Sequence, residues 1–174
     1  TKGSPGIIRG SFRVFKEVEM TFVGIVGARK FKDRKSVIDF VNGLPINSIV
    51  VTSSCKGVCT WAGSAAKDRG LQVKLYSPNL NNARGKCEVV QRYYQRNRQL
   101  ISACDVVHAF ISKEAGFTGG TKYEVKYAKS LGKMVFLHWE NSIVEKVYQK
   151  PLPFSNHAKE LSSGWMNFFL HTLG

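Results

Sequence analysis

Along the chain, apolar runs of seven or eight residues alternate with longer stretches whose apolar positions recur at helical spacing. "TFVGIVGA" (21–28) is a continuous β-type run, and the mixed stretch from Asp33 to Leu44 after it reads as a helix. "SIVVTSS" (48–54) repeats the strand signature, and "TWAGSAAKDRG" (60–70) reads as a small-residue helix stopped by Gly70. "LQVKLYSP" (71–78) is a third strand. A polar loop over 79–85 then precedes a helix from Cys87 to Ala103, with Val89, Val90, Tyr93, Tyr94, Leu100 and Ile101 available to one face. "DVVHAFI" (105–111) and "KMVFLHW" (133–139) supply two more strands, separated by a helix that runs to Leu131 and is stopped by Gly132.

Strands that are apolar throughout are buried on both faces, and strand–helix alternation requires crossovers that cover the sheet. The pattern predicts an α/β fold: a doubly wound Rossmann-like parallel sheet of about five strands with helices on both faces. In such sheets ligands bind beyond the carboxyl ends of the strands. Those ends read "VGARKF", "VTSSCKG", "YSPN", "FISKEAGFTGG" and "LHWEN", so small, glycine-rich and polar residues gather on one edge.

The flanks read differently. Residues 1–20 are expected to be an N-terminal extension or a segment added for expression, and residues 21–140 the Rossmann-like domain. Residues 141–174 read as a C-terminal helical extension with Trp165, Phe168, Phe169 and Leu173 on an apolar stripe, packing on the domain or on a partner subunit; a homo-oligomer is expected.

Charge narrows the class of partner. The formal net charge of +14 favours anionic partners, from nucleotides to nucleic acid, although no block of five basic residues forms a tail. No apolar run approaches the roughly 20 residues needed to span a bilayer, and the N-terminal residues lack a secretory pattern, so a cytoplasmic protein without membrane association is expected. The four cysteines, Cys55, Cys59, Cys87 and Cys104, have no zinc-ligand spacing, so no metal and no cofactor is expected. They read mostly as buried small residues, with Cys59 the thiol nearest a candidate ligand loop. His108 and His138 lie in apolar strands and read as core or strand-end histidines.

"GFTGGTKYEVKYA" (116–128) carries two readings. Its glycines and Thr121 lead into a helix N-terminus, which favours anions. Thr121-Lys122-Tyr123-Glu124 also fits the S/T-x-x-E capping box, which needs no ligand.

Four segments, "GARKFKD", "VVTSSCKGVCTWAGSAAKDRGL", "QRNRQLISACDVVHAF" and "GFTGGTKYEVKYAKSLGKMV", occur in an order that resembles the SLOG superfamily of Rossmann-like nucleotide-ligand proteins, nearest its YspA/YpsA-related branch. The resemblance implies a crevice formed by Gly27, Ala28, Arg29, Ser53, Ser54, Gly57, Arg96, Asn97, Gly119, Gly120, Thr121 and Glu124, occupied by a nucleotide or ADP-ribose-like molecule that is bound or sensed. Gly27 would let the chain turn, Arg29 would present a planar cation, and Trp61 would stack on the ligand or pack at a helix start.

The superfamily also contains the lysine-decarboxylase-like "lonely guy" phosphoribohydrolases, and on that likeness Glu124 and Arg96 would be catalytic in hydrolysing the N-glycosidic bond of a nucleoside monophosphate. A third implication comes from the DNA-processing protein DprA, whose "RNR" element matches Arg96-Asn97-Arg98. Single-stranded nucleic acid would then stack on Tyr93 and Tyr94, unless both tyrosines face the core.

Overall fold

The structure, a computed structural model, describes residues 19–140 and 143–147. The apolar C-terminal stripe and most of the N-terminal segment lie outside the described residues. The elements in chain order are β1 (Thr21–Gly27), α1 (Arg34–Gly43), β2 (Ser48–Ser53), α2 (Val58–Asp68), β3 (Gln72–Tyr76), α3 (Gly85–Ser102), β4 (Val106–Ile111), α4 (Gly119–Ser130), β5 (Met134–Trp139) and β6 (Val144–Val147). They form one six-stranded sheet of order β3-β2-β1-β4-β5-β6. Every neighbouring pair is parallel except β5 with β6.

The α/β doubly wound Rossmann-like fold is thus the one the sequence pattern predicts, with one addition. Residues 144–147, within the segment expected to be a helical extension, form an antiparallel sixth strand on β5, pairing Val135 with Val147 and His138 with Val144.

Alternation along the strands divides the core between the two faces. Ile25, Val50 and Phe110 pack with Val37 and Val41 of α1 and Val58, Ala62 and Ala66 of α2. Their neighbours Val26, Val51, Ala109 and Ile111 point the other way, against Leu100 and Ile101 of α3 and Val125 and Ala128 of α4. Local signals set the helix ends. The Asp33 carboxylate accepts from Ser36 N at 3.0 Å and caps α1. At the end of α2, Gly70 takes a φ of +77°, and Leu71 N donates to Ala66 O at 2.8 Å.

Two strand histidines form a buried pair. His108 is fully buried and His138 is nearly so; His108 Nδ1 lies 2.9 Å from His138 Nε2. Phe40, Phe110 and Phe136 surround them. Burial lowers both pKa values, His138 to about 4, and the neighbouring ring pushes His108 further down. Both side chains are therefore neutral core residues.

Gly27 serves close packing rather than a turn. Its backbone is not in the left-handed region, and a Cβ there would lie 2.7–2.8 Å from three side-chain atoms of Val58 at the start of α2. Gly27→Ala is expected to destabilise the fold by about 1–3 kcal/mol through overpacking, as measured by urea denaturation. Val58→Ala in the same chain should recover part of the loss, and a failure to do so would reject this account.

Candidate functional site

Strand order reverses between β1 and β4, and the loops that leave the two strands diverge there. A cavity of about 440 Å³ opens at this point, on the carboxyl edge of the sheet. It takes residues from the β1 and β2 ends, from the middle of α3, and from the loop and first turns of α4.

Of the residues expected here, Gly27, Ala28, Arg29, Ser53, Arg96, Asn97, Gly119, Gly120, Thr121 and Glu124 line the cavity. Ser54 and Gly57 do not. β2 ends at Ser53, and Ser54 lies in the bend beyond it, exposed, with its hydroxyl 3.0 Å from that of Ser77. Gly57 instead supports the loop after β1. Its φ is +86°, and a Cβ on it would lie 3.2 Å from Arg29 O and 3.3 Å from Arg29 Cα. Trp61 packs on the core face shared by α1 and α2 and does not line the cavity.

Helix α4 begins earlier than the capping-box reading requires. Thr118 is its N-cap, and the Thr118 hydroxyl donates to Ala115 O at 3.0 Å instead of capping the helix. Thr121 and Glu124 accordingly lie inside the helix, both at 7% exposure, and the capping box does not form. The N–H groups of the first turn receive no side-chain cap and stand beside the cavity, the arrangement that attracts anions to helix ends.

Arg96 is the central cation. It is 4% exposed, donates from one terminal nitrogen to Cys55 Sγ at 3.4 Å, and stands over the Tyr93 ring at 5.8 Å. Its Nε and other terminal nitrogen, and Asn97 Oδ1 beside it, are buried with no hydrogen-bond partner among the described residues. Leaving such groups unpaired costs about 1–3 kcal/mol each, more where the group is charged.

Glu124 faces the same cavity from α4, yet it and Arg96 are absent from the ion pairs of the described residues. Burial pushes its carboxyl up to about 8; Arg96 pulls it down only in part, and Cys55 adds to the rise. At neutral pH, Glu124 is therefore a buried acid carrying its proton.

The thiol singled out by sequence is the inert one. Cys59 is buried in the first turn of α2, and burial raises its pKa. Cys55, three residues before that helix, is the thiol in contact with Arg96, and the sequence reading gave it no role. Burial acts to raise its pKa. Hydrogen bonds from Ser53 and Arg96, with the charges of Arg96 and Arg29, outweigh that and lower it. Cys87 is exposed, so the expectation of buried cysteines holds for Cys59 and Cys104 only.

Tyr93 and Tyr94 do not face the core. Both line the cavity, Tyr94 is 38% exposed, and its ring meets Tyr123 edge-on at 4.4 Å. A second depression, of about 680 Å³, is lined by Lys32, Asp33, Lys113, Glu114 and Glu140. Its carboxylates are already engaged: Glu114 pairs with Lys30 and Lys32, Asp33 caps α1, and Glu140 accepts from Lys32 N and Lys113 N. Among the described residues no group of three or more His, Cys, Asp or Glu is placed to hold a metal ion, and no helix is long and apolar enough to cross a membrane.

No protein-family model matches the chain, and no curated protein matches it. Solved structures do resemble it. DNA processing protein A (DprA) from Streptococcus pneumoniae matches with a TM-score of 0.54 at 21% identity, over 68% of this chain and 50% of that one. The CMP N-glycosidase BcmB from Clostridium botulinum matches with a TM-score of 0.36 at 18% identity, over 68% of this chain and 69% of that one. The likeness to DprA is one of fold, and the chain spans about half the length of that protein.

Proposed function

We propose that the crevice binds a nucleotide or nucleotide-derived ligand, in the manner of a SLOG-type binding or sensing protein. The observation that carries this reading is Arg96, a buried guanidinium with two unpartnered nitrogens on a cavity that also holds an uncapped helix N-terminus. A phosphate supplies acceptors for both, which removes the cost of leaving them unpaired. Asn97 and the Tyr93 and Tyr94 rings offer polar and stacking contacts to ribose and base.

Calorimetry with AMP, CMP and ADP-ribose tests the reading. Binding is expected for at least one of them, with a loss of about 100-fold in Arg96→Met, since removing one partner of a buried charge contact costs roughly 2–5 kcal/mol. No binding in the whole panel, or equal binding by the variant, rejects it. Binding that grows with oligonucleotide length and falls steeply with salt would instead favour single-stranded nucleic acid.

Hydrolysis of a nucleoside monophosphate is a second reading, favoured by the protonated Glu124 carboxyl. At neutral pH it would give its proton to the departing base as the C1′–N bond breaks, while water adds at C1′ and returns a proton to the carboxylate. Release of free base, abolished by Glu124→Gln, is the test. Turnover that persists in the variant excludes this role for Glu124.

A further inference from the structure

We propose that Cys55 is a modification site inside the crevice, a thiol that reacts selectively with small electrophiles and peroxides and whose modification closes the crevice to an anionic ligand. The second clause rests on the nucleotide-binding reading above; the first does not.

Four observations place the site. Cys55 lies in the loop between β2 and α2, half-buried, on the wall of the cavity, so a small reagent reaches it. Its sulfur accepts from Arg96 at 3.4 Å, and Arg96 is itself nine-tenths buried with unpartnered nitrogens on the same cavity. Arg29, a second cation, lines the same wall. The Cys55 N–H donates to Ser53 Oγ at 3.3 Å, and Thr60 Oγ1 donates to Cys55 O at 2.8 Å, which holds the residue on this wall. The lowered thiol pKa agrees with this geometry, because thiolates are favoured beside cations.

With a peroxide, the thiolate sulfur attacks one oxygen: an S–O bond forms as the O–O bond breaks. The sulfur is oxidised to a sulfenic acid as the peroxide is reduced, and the leaving hydroxide or alkoxide takes the proton of the new S–OH group, giving a sulfenate and water or an alcohol. The new oxygen anion lies beside the guanidinium that a phosphate would use. An alkylating reagent acts through bulk instead, placing its added group in the cavity.

The chain contains its own controls. Cys59 borders the same cavity but is only 4% exposed, with a thiol pushed up by burial, Cys104 is buried in the core, and Cys87 is exposed on α3 away from Arg96. The experiment is limited iodoacetamide labelling of the full chain at neutral pH, with each cysteine followed by peptide mass spectrometry. Cys55 is expected to label at least about tenfold faster than the more exposed Cys87, as activated thiols do. That ratio should fall to near unity in Arg96→Met, and Cys59 and Cys104 should stay unlabelled.

Labelled protein is then titrated with AMP beside untreated protein and beside Cys55→Ser exposed to the same reagent. Labelling should remove binding in the wild type and leave it intact in Cys55→Ser. The proposal is overturned if Cys55 reacts no faster than Cys87 in the wild type, a comparison that needs no variant to fold, or if labelled protein binds AMP as untreated protein does. Fast Cys55 labelling in a protein that binds no nucleotide supports the thiol site and rejects only the nucleotide reading.

Discussion

Glu124→Gln is expected to stabilise the ligand-free protein at pH 9 and to leave it nearly unchanged at pH 5. The folded-state pKa of Glu124, about 8, stands above the ordinary value of 4.5, so its contribution to stability is complete below pH 4.5 and is lost as pH rises through 8. Each pKa unit is worth about 1.4 kcal/mol, which puts the loss at roughly 5 kcal/mol on the alkaline side. Gln is neutral throughout and does not incur it. Thermal denaturation should show the variant melting more than about 10 °C above the wild type at pH 9, with the curves converging toward pH 5. A constant difference across that range would show that Glu124 does not carry its proton in the folded protein. A buried acid kept at such a cost, beside an Arg96 with two nitrogens lacking partners among the described residues, is what the proposed binding role would require.

Protonation of the buried histidine pair should cost the fold stability before the surface carboxylates titrate, opposing the gain from Glu124 in the same pH range. His138 has a folded-state pKa of about 4 against an ordinary 6.5, so stability is full above pH 6.5 and declines as pH falls toward 4. The loss from this residue alone is about 3 kcal/mol, and His108, also lowered by burial, adds to it. Glu88, Glu114 and Glu140, whose pKa values are held below 4.5, act at lower pH, so the two windows separate. In His138→Gln the fall in urea-derived stability from pH 7 to pH 4 should shrink by about 3 kcal/mol. An equal fall in both proteins would mean that the pair does not set the acid limit.

The fold was legible because the inner parallel strands β1, β2, β4 and β5 are apolar on both faces and helices α2 and α4 are stopped by the positive-φ glycines Gly70 and Gly132. The sixth strand was not. "VEKV" is four residues with its charges in the middle, and only pairing with β5 makes it a strand. The cavity residues that sequence motifs identified do converge, yet three details depended on register. The T-x-x-E spacing pointed to a cap, but Thr118 starts the helix and moves Glu124 to its second turn. Of two adjacent serines, Ser53 ends β2 on the cavity wall, and Ser54 falls in the bend after the strand. Of two cysteines four residues apart, the start of α2 decides which one is buried, and no composition or spacing rule states where that start falls.

The order of the strands gives the cavity a mechanical meaning as well as a chemical one. Within the sheet, the half built from β1, β2 and β3 is joined to the half built from β4, β5 and β6 by one ladder, Val23–Gly27 against Val106–Phe110. Arg29, Ser53 and Cys55 belong to the first half, Gly119 and Glu124 to the second, and Arg96 to the helix that links them. A molecule that touches both halves is a cross-brace over that seam. At 100 times its dissociation constant it adds about 2.7 kcal/mol to the resistance against unfolding. A ligand bound across the seam would thus make the two halves open as one unit.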